Sequence, residues 1–260
     1  MPKLAANLSM MFSEVDFLDR FGEAAEAGFT GVEYVSPYEY DRAQISDRLQ
    51  HYRLTQVLFN LPVGDWAAGE RGIACHPDRV EEFRASIDTA IEYADLLGCH
   101  QVNCLAGIAP EGLGADTLRE TFVSNLRFAA PRLNDAGIRL LIEPINQRDI
   151  AGFYLRNTAH ALDMIEKAAV SNLYVQYDVY HMQIMEGDLV PTMRANIDSI
   201  GHIQIADTPG RHEPGTGEIN YPFVLNAVDA MGYSGWVGCE YKPLTTTLEG
   251  LGWATDFLKQ

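Results

Sequence analysis

Three carboxylates occupy equivalent places in the sequence. Glu143, Asp178 and Glu240 each come at the end of a short apolar run, and Gln204 ends a fourth run of the same kind. Runs this short and this apolar are typical of strands buried on both faces of a parallel sheet. Because the carboxyl ends of parallel barrel strands meet at one rim, we expect these four side chains to converge there.

The predicted cluster offers four oxygen ligands, three from carboxylates and one from an amide. Hard oxygen ligands of this kind suit Mg²⁺ or Mn²⁺ better than Zn²⁺, which favours nitrogen and sulfur. A divalent cation would also relieve the repulsion among three carboxylates that face one another. The sequence therefore predicts a metal site formed by Glu143, Asp178, Gln204 and Glu240, with Mg²⁺ as the expected ion, Mn²⁺ as an alternative and no organic cofactor.

Eight strand candidates can be placed along the chain. They end near Asn7, Glu33, Asn60, Asn103, Glu143, Asp178, Gln204 and Glu240. The spacing between successive ends is long enough for one strand, one crossover helix and two loops. No composition break divides the chain, so we expect residues 1–260 to form a single (β/α)₈ TIM barrel. An open Rossmann sheet is the alternative, but no G-x-G-x-x-G follows any candidate strand.

Glycines mark where several helices should stop. Gly28, Gly98, Gly137 and Gly232 stand between a helical pattern and a strand candidate, where glycine adopts the left-handed conformation that ends a helix. Asp116 is expected to cap the helix that follows it.

Composition limits the function classes. The chain has 260 residues, is 47% hydrophobic and carries 36 acidic against 19 basic residues, a formal net charge of −17. Such a negative chain should repel nucleic acid, and no run of about 20 apolar residues indicates a membrane span. The beginning of the chain lacks the pattern of a signal peptide, so we expect a cytoplasmic protein whose four cysteines are buried thiols. The aromatic residues of segment 34–40 could form an exposed patch for a homo-oligomer, but packing of this loop at the mouth explains them equally well.

Several other polar residues are candidates for binding a substrate. His181 lies three residues after Asp178 and could hold a substrate, support a ligand or be purely structural. Asn60 and Arg71 flank a glycine-rich loop, and Arg211 and Lys242 are the other cations that could reach an anion. The segment 207–220 is rich in glycine and proline, and its length suits a lid over the mouth.

Long strings of the chain resemble the hydroxypyruvate isomerase family, a group of xylose isomerase-like barrels. They include Leu141-Ile-Glu-Pro-Ile-Asn146, Gln176-Tyr-Asp-Val-Tyr-His-Met182 and the segments 6–10, 60–75, 204–207, 213–221 and 238–243. The resemblance implies that the protein interconverts hydroxypyruvate and tartronate semialdehyde. It also implies that Glu143 and Glu240 are the proton donor and acceptor, and it gives the same four metal ligands. The implied partner is a small anionic hydroxy-oxo acid.

Other functions stay open. The 2-oxo-tetronate isomerases share these site residues but diverge in the segment 60–75, which here looks like the hydroxypyruvate branch. Ketose 3-epimerases of this barrel type usually have histidine where this chain has Gln204. A barrel that binds a sugar acid without catalysis is disfavoured by the pair Glu143 and Glu240. Endonucleases that cut abasic DNA need several histidine ligands and a basic face, which this sequence lacks.

Overall fold

The computed structural model describes residues 1–258 and forms a closed parallel barrel of eight strands in chain order. The strands are β1 (Lys3–Asn7), β2 (Gly31–Glu33), β3 (Thr55–Asn60), β4 (Gln101–Cys104), β5 (Arg139–Ile142), β6 (Leu173–Asp178), β7 (Ile200–Ile205) and β8 (Trp236–Cys239). Pairing of β1 with β8, for example Ala6 opposite Cys239, closes the barrel. The predicted (β/α)₈ fold is confirmed.

Helices follow the strands and surround the barrel. They are α1 (Arg20–Glu26), α2 (Arg42–Tyr52), α3 (Val80–Leu97), α4 (Ala115–Asp135), α5 (Thr158–Ala168), α6 (Val179–Met185), α7 (Leu189–Asn196), α8 (Tyr221–Ala230), α9 (Thr247–Gly250) and α10 (Thr255–Leu258). The long helices α3 and α4 bury one apolar face, because Phe83, Ile87 and Ala90 lie one turn apart on α3. Those faces pack onto the apolar outer surface of the strands.

The predicted strand ends agree with the structure to within one residue. Glu143 and Glu240 come directly after β5 and β8, Asp178 is the last residue of β6, and Gln204 is the second-last of β7. The glycines predicted to end helices also have the expected conformation. Gly98 and Gly137 have φ of 63° and 73°, the left-handed values at which a residue with a side chain would be strained. The sequence therefore located the rim on which the polar residues stand.

The cap predicted for the fourth helix is wrong by two residues. Gly114 is the N-cap of α4, and Asp116 lies inside the first turn. There its carboxylate pairs with Arg119 at 2.8 Å, so it stabilises the turn from within. The four cysteines are buried as free thiols, as predicted. No helix within residues 1–258 is long and apolar enough to cross a membrane.

Candidate functional site at the carboxyl rim

The structure brings three strand-end carboxylates together with one histidine. Ligand atoms of Glu143, Asp178, His181 and Glu240 all lie within 4.8 Å of one another, and all four residues are buried. They stand directly after β5, at the end of β6, in the first turn of α6 and directly after β8. Strands β5 and β8 are not neighbours in the barrel, so the two glutamates approach the cluster from different sides of the mouth.

Each glutamate accepts a hydrogen bond from an asparagine at the end of another strand. Asn103 Nδ2 donates to Glu143 Oε2 at 2.9 Å and to Asn60 Oδ1 at 3.2 Å. Asn7 Nδ2 donates to Glu240 Oε1 at 3.1 Å. Asn60, predicted to bind substrate, is thus connected to Glu143 through Asn103. The sequence marked Asn7 and Asn103 as strand ends but did not identify them as partners of the glutamates.

Arg211 contributes the one guanidinium that reaches this cluster among the described residues. Its Nη2 lies 2.7 Å from Glu240 Oε2 and 3.6 Å from Asp178 Oδ2. The guanidinium also stacks over the ring of Tyr180 at 5.1 Å. Arg211 therefore partly neutralises the carboxylates, and it can offer a positive charge to an anionic ligand.

A carboxylate holds the loop that carries Arg211. Asp207 Oδ1 accepts from the backbone N–H groups of Thr208 and Ile219, and its Oδ2 accepts from those of Gly215 and Gly217. Arg211 itself has φ of 57°, which is unusual for a residue with a Cβ atom. Asp207 thus fixes the shape of the loop from its first residue.

Asp178 has two different oxygens. Its Oδ1 accepts from the backbone N–H of Tyr180 at 2.8 Å and so caps α6. Its Oδ2 is buried without a hydrogen-bond partner in the described structure. A buried unpaired carboxylate oxygen is costly, so this atom is well suited to accept a bond from a ligand or an ion.

Burial changes the acid–base properties of the cluster. Burial, opposed by Arg211, raises the pKa of Asp178 to about 6. Burial also raises the pKa of Glu240 to about 8; Arg211 opposes this, and the charge of Asp178 adds to it. Burial and the neighbouring charges of Glu240 and Asp178 hold the pKa of Glu143 well above its ordinary value. All three carboxyls are therefore harder to ionise together than they would be in water.

His181 presents a ring N–H toward the cluster. Asn146 Nδ2 lies 2.6 Å from His181 Nδ1, and the orientation of this amide is fixed because Asn146 also donates to Asp149 Oδ2 and accepts from the Asp149 N–H. Nδ1 must then accept, which places the proton of the neutral ring on Nε2. Burial and Arg211 lower the pKa of His181 well below its ordinary value, so the ring is neutral. Its Nε2 lies 3.5 Å from Asp178 Oδ2 and 3.8 Å from Glu143 Oε1.

The remaining predicted residues have other partners. Gln204 Nε2 donates to Glu33 Oε1 at 2.7 Å, and Gln204 Oε1 accepts from Gln176 Nε2 at 2.6 Å. Arg71 stacks on Trp66 at 3.8 Å and donates to carbonyls of its own loop. Lys242 is exposed, and its backbone N–H donates to the carbonyl of Arg211. Their roles as a metal ligand or as substrate-binding residues stay predictions.

The donor set fits a divalent cation. Three carboxylates converge, and one of their oxygens, Asp178 Oδ2, has no hydrogen-bond partner among the described residues. Oxygen ligands at such a density are typical of Mg²⁺ or Mn²⁺ sites. His181 is the fourth member of the group, but its Nε2 carries the proton in the hydrogen-bond arrangement above and so donates rather than ligates.

Comparisons with known proteins place the chain in one family. Residues 21–258 match the family model described as xylose isomerase-like TIM barrel. Hydroxypyruvate isomerase of Escherichia coli K12 is 53% identical over 257 residues, which covers 99% of this chain and all of that protein. 2-Oxo-tetronate isomerase of Cupriavidus necator is 46% identical, covering 99% of both. A crystal structure described as AP endonuclease, family 2, from Brucella melitensis superposes with a TM-score of 0.97 at 46% identity, covering 99% of both chains.

Proposed function

We propose that this chain, which belongs to the xylose isomerase-like TIM barrel family, is an isomerase that interconverts hydroxypyruvate and tartronate semialdehyde. The relatives from Escherichia coli and Cupriavidus necator are named hydroxypyruvate isomerase and 2-oxo-tetronate isomerase, and they match this chain over nearly its full length. The observation that carries the proposal is the convergence of Glu143 and Glu240 from non-neighbouring strands in one buried cluster.

The reaction needs two proton positions and a way to bear negative charge. A proton leaves C3 of hydroxypyruvate, which bears the hydroxyl group, and a proton is added at C2, while the hydroxyl proton moves to the former carbonyl oxygen. Between these steps the substrate is an enediolate. In our proposal one of Glu143 and Glu240 accepts the first proton and the other donates the second. Positioned acid–base groups contribute on the order of 10²- to 10⁴-fold in rate.

The surroundings of the two glutamates support this division of labour. Asn103 and Asn7 each hold one carboxylate oxygen, which fixes the orientation of the group that must meet the substrate carbon. The pKa of Glu240, at about 8, lies closer to neutral pH than its ordinary value, as an efficient proton carrier requires, and the pKa of Glu143 is raised in the same direction.

Glu143, Asp178 and Glu240 would hold a divalent cation, Mg²⁺ or Mn²⁺, with Gln204 as the fourth ligand in our proposal. Such an ion would supply stabilisation of the negative charge on the enediolate oxygens. Arg211 and His181 would orient the substrate: the guanidinium would pair with its carboxylate, and the Nε2–H of His181 would donate to one of its oxygens. Closure around a small acid would exclude the water that otherwise weakens these contacts.

The test is turnover of hydroxypyruvate by purified protein, with products followed by NMR. Glu143→Gln and Glu240→Gln should each remove turnover while the circular dichroism spectrum stays that of the wild type. Glu166→Gln, which changes an exposed glutamate on α5, is the matched control and should keep full activity. Full activity in either of the first two variants would contradict the assignment of the glutamates.

The choice of substrate needs a separate experiment. A panel of hydroxypyruvate, four-carbon 2-oxo acids and free ketoses distinguishes the proposed activity from 2-oxo-tetronate isomerase and ketose 3-epimerase activity. DNA with an abasic site belongs in the same panel, because the structure from Brucella melitensis is described as an endonuclease. We expect hydroxypyruvate to give the highest kcat/KM and the DNA to stay intact. Faster turnover of a four-carbon acid would show that the protein is a 2-oxo-tetronate isomerase instead.

A further inference from the structure

A second buried polar cluster lies next to the carboxylate rim. Glu33 and His202 have no exposed surface, and Glu33 Oε2 lies 2.7 Å from His202 Nε2. Glu33 ends β2 and His202 belongs to β7, with β8 and β1 between these strands in the closed barrel. The pair therefore reaches across the barrel interior and is not a contact between adjacent strands.

A glycine makes room for this pair. Gly238 on β8 lies two residues before Glu240, and a Cβ atom at this position would stand 2.3 Å from Glu33 Oε1 and 2.4 Å from Oε2. Any side chain here would displace the Glu33 carboxylate, because a real Cβ does not approach heavy atoms this closely. The local sequence Val-Gly-Cys-Glu thus combines the space for Glu33 with the position of Glu240.

The Glu33 carboxylate accepts hydrogen bonds from two neighbouring amides. Its Oε1 accepts from Asn7 Nδ2 at 3.0 Å and from Gln204 Nε2 at 2.7 Å. An ionised carboxylate only accepts hydrogen bonds, so both amides must turn their NH₂ groups toward it. The second hydrogen on Asn7 Nδ2 is then free to donate to Glu240 Oε1 at 3.1 Å, while Asn7 Oδ1 accepts from the backbone of Ser9.

We propose that Glu33 is a positioning residue for Glu240 and acts through Asn7. Glu33 accepts hydrogen bonds from Asn7 and Gln204 and lies beside His202, but it makes no hydrogen bond to Glu240, so its effect on Glu240 passes through the bridging amide of Asn7. If Glu33 were apolar, Asn7 could rotate its amide and present an oxygen to Glu240, which would repel the carboxylate. The inference rests on the proposed function only for its kinetic consequences, since the orientation of Asn7 can be observed directly.

The other glutamate has a simpler support. Asn103 also bridges two acceptors, but its second acceptor is the neutral amide oxygen of Asn60. On the Glu240 side the second acceptor is the buried Glu33 carboxylate, which lies beside the His202 imidazole, although an apolar pair of similar volume is often as stable as a buried polar pair or more so. Stability alone does not account for the pair, whereas the orientation of Asn7 does.

The test compares three replacements of Glu33. Glu33→Met removes the acceptor, and Glu33→Asp keeps the charge but is one methylene too short to hold His202 and Asn7 together. Both should lower kcat by roughly 10- to 100-fold, the usual effect of losing a group that orients a ligand or catalytic residue, with KM nearly unchanged. Glu33→Gln can keep an oxygen toward Asn7 and turn its NH₂ toward His202, so it should recover most of the lost kcat.

Crystal structures of the same variants provide a readout that needs no turnover. We expect Asn7 Nδ2 to stay bonded to Glu240 in Glu33→Gln and to lose this bond in Glu33→Met and Glu33→Asp. Asn172→Ala is the control, because Asn172 is a buried amide far along the chain that donates only to the carbonyls of Ala130 and Ile138. It should lower the melting temperature without changing kcat.

The outcomes separate this inference from the proposed function. An intact bond between Asn7 and Glu240 in both Glu33→Met and Glu33→Asp would overturn it. An equal loss of kcat in Glu33→Gln and Glu33→Met would also overturn the inference, because kcat would then depend on the negative charge of Glu33 and not on the orientation of Asn7. If wild-type protein turns over none of the acids in the substrate panel, the proposed function fails, and the crystal structures alone decide the role of Glu33.

Discussion

The stability of the metal-free protein should fall as pH rises, and Glu240 should be a main cause. The pKa of Glu240 is about 8 in the folded protein, against an ordinary value of 4.5. The folded state therefore binds this proton more tightly than the unfolded chain does. The corresponding contribution to stability is fully present below pH 4.5 and is lost as pH rises toward 8.

The size of the effect follows from that difference. A pKa that moves from 4.5 to about 8 corresponds to at most about 5 kcal/mol of unfolding free energy. Asp178, at about 6, and Glu143, also raised, change stability in the same direction. Because these carboxylates repel one another, Glu240→Gln should remove its own contribution and also ease the ionisation of its neighbours.

The assay is urea unfolding at pH 5, 7 and 9 in the presence of a chelator, followed by circular dichroism. The free energy of unfolding of the wild-type protein should fall by several kcal/mol between pH 5 and pH 9. The fall for Glu240→Gln should be smaller by at least about 2 kcal/mol. Glu166→Gln should follow the wild type, because it removes a charge from the surface alone. Adding Mn²⁺ or Mg²⁺ in excess of the chelator at pH 9 should restore the stability of the wild-type protein. Parallel pH curves for wild type and Glu240→Gln would refute the reasoning.

Three further predictions concern single groups. Asn103→Ala removes the hydrogen bond to Glu143 and should lower kcat about 10- to 100-fold, measured against Asn125→Ala, a buried amide elsewhere. Asp207→Ala leaves four backbone N–H groups of the loop without their acceptor, so limited proteolysis should cut between residues 208 and 219 faster than in wild type. The cysteines are buried, and burial raises the pKa of Cys75 and Cys99 to about 12, so a thiol reagent should label none of the four until urea is added.

Much of the rim could be predicted from the sequence because its signals are local. A glycine that stops a helix and an apolar run that ends on a polar residue both act within about ten residues. Glycines marked the start of four strands and apolar runs marked all eight, and the predicted ends agree with the structure to within one residue. The same signals predicted that Glu143, Asp178 and Glu240 lie at one rim, because the carboxyl ends of all the strands in a parallel barrel meet there.

The hydrogen-bond partners of the rim could not be predicted in the same way. Gln204 is 171 residues from Glu33 in the chain, and nothing local indicates that its amide faces that carboxylate. The proton on Nε2 of His181 depends on Asn146, whose own orientation depends on Asp149. Arg211 lies in a loop that the sequence marked as a lid, yet its place beside Glu240 depends on how Asp207 folds that loop. Such contacts follow from tertiary packing, which periodicity does not describe.

Charge balance connects the cluster to its chemistry. Three ionised carboxylates and Arg211 leave the buried site with an excess of negative charge, and a divalent cation would bring it to neutrality. A substrate that carries its own carboxylate would restore a negative charge, which a buried site disfavours unless one carboxyl keeps a proton. In the metal-free site Glu143 and Glu240 both hold their protons more tightly than ordinary carboxyls, and we propose that one of these two residues keeps it. Binding an anionic substrate would then leave one glutamate protonated as the acid and the other ionised as the base, which is the state that the proposed isomerisation requires at its first step.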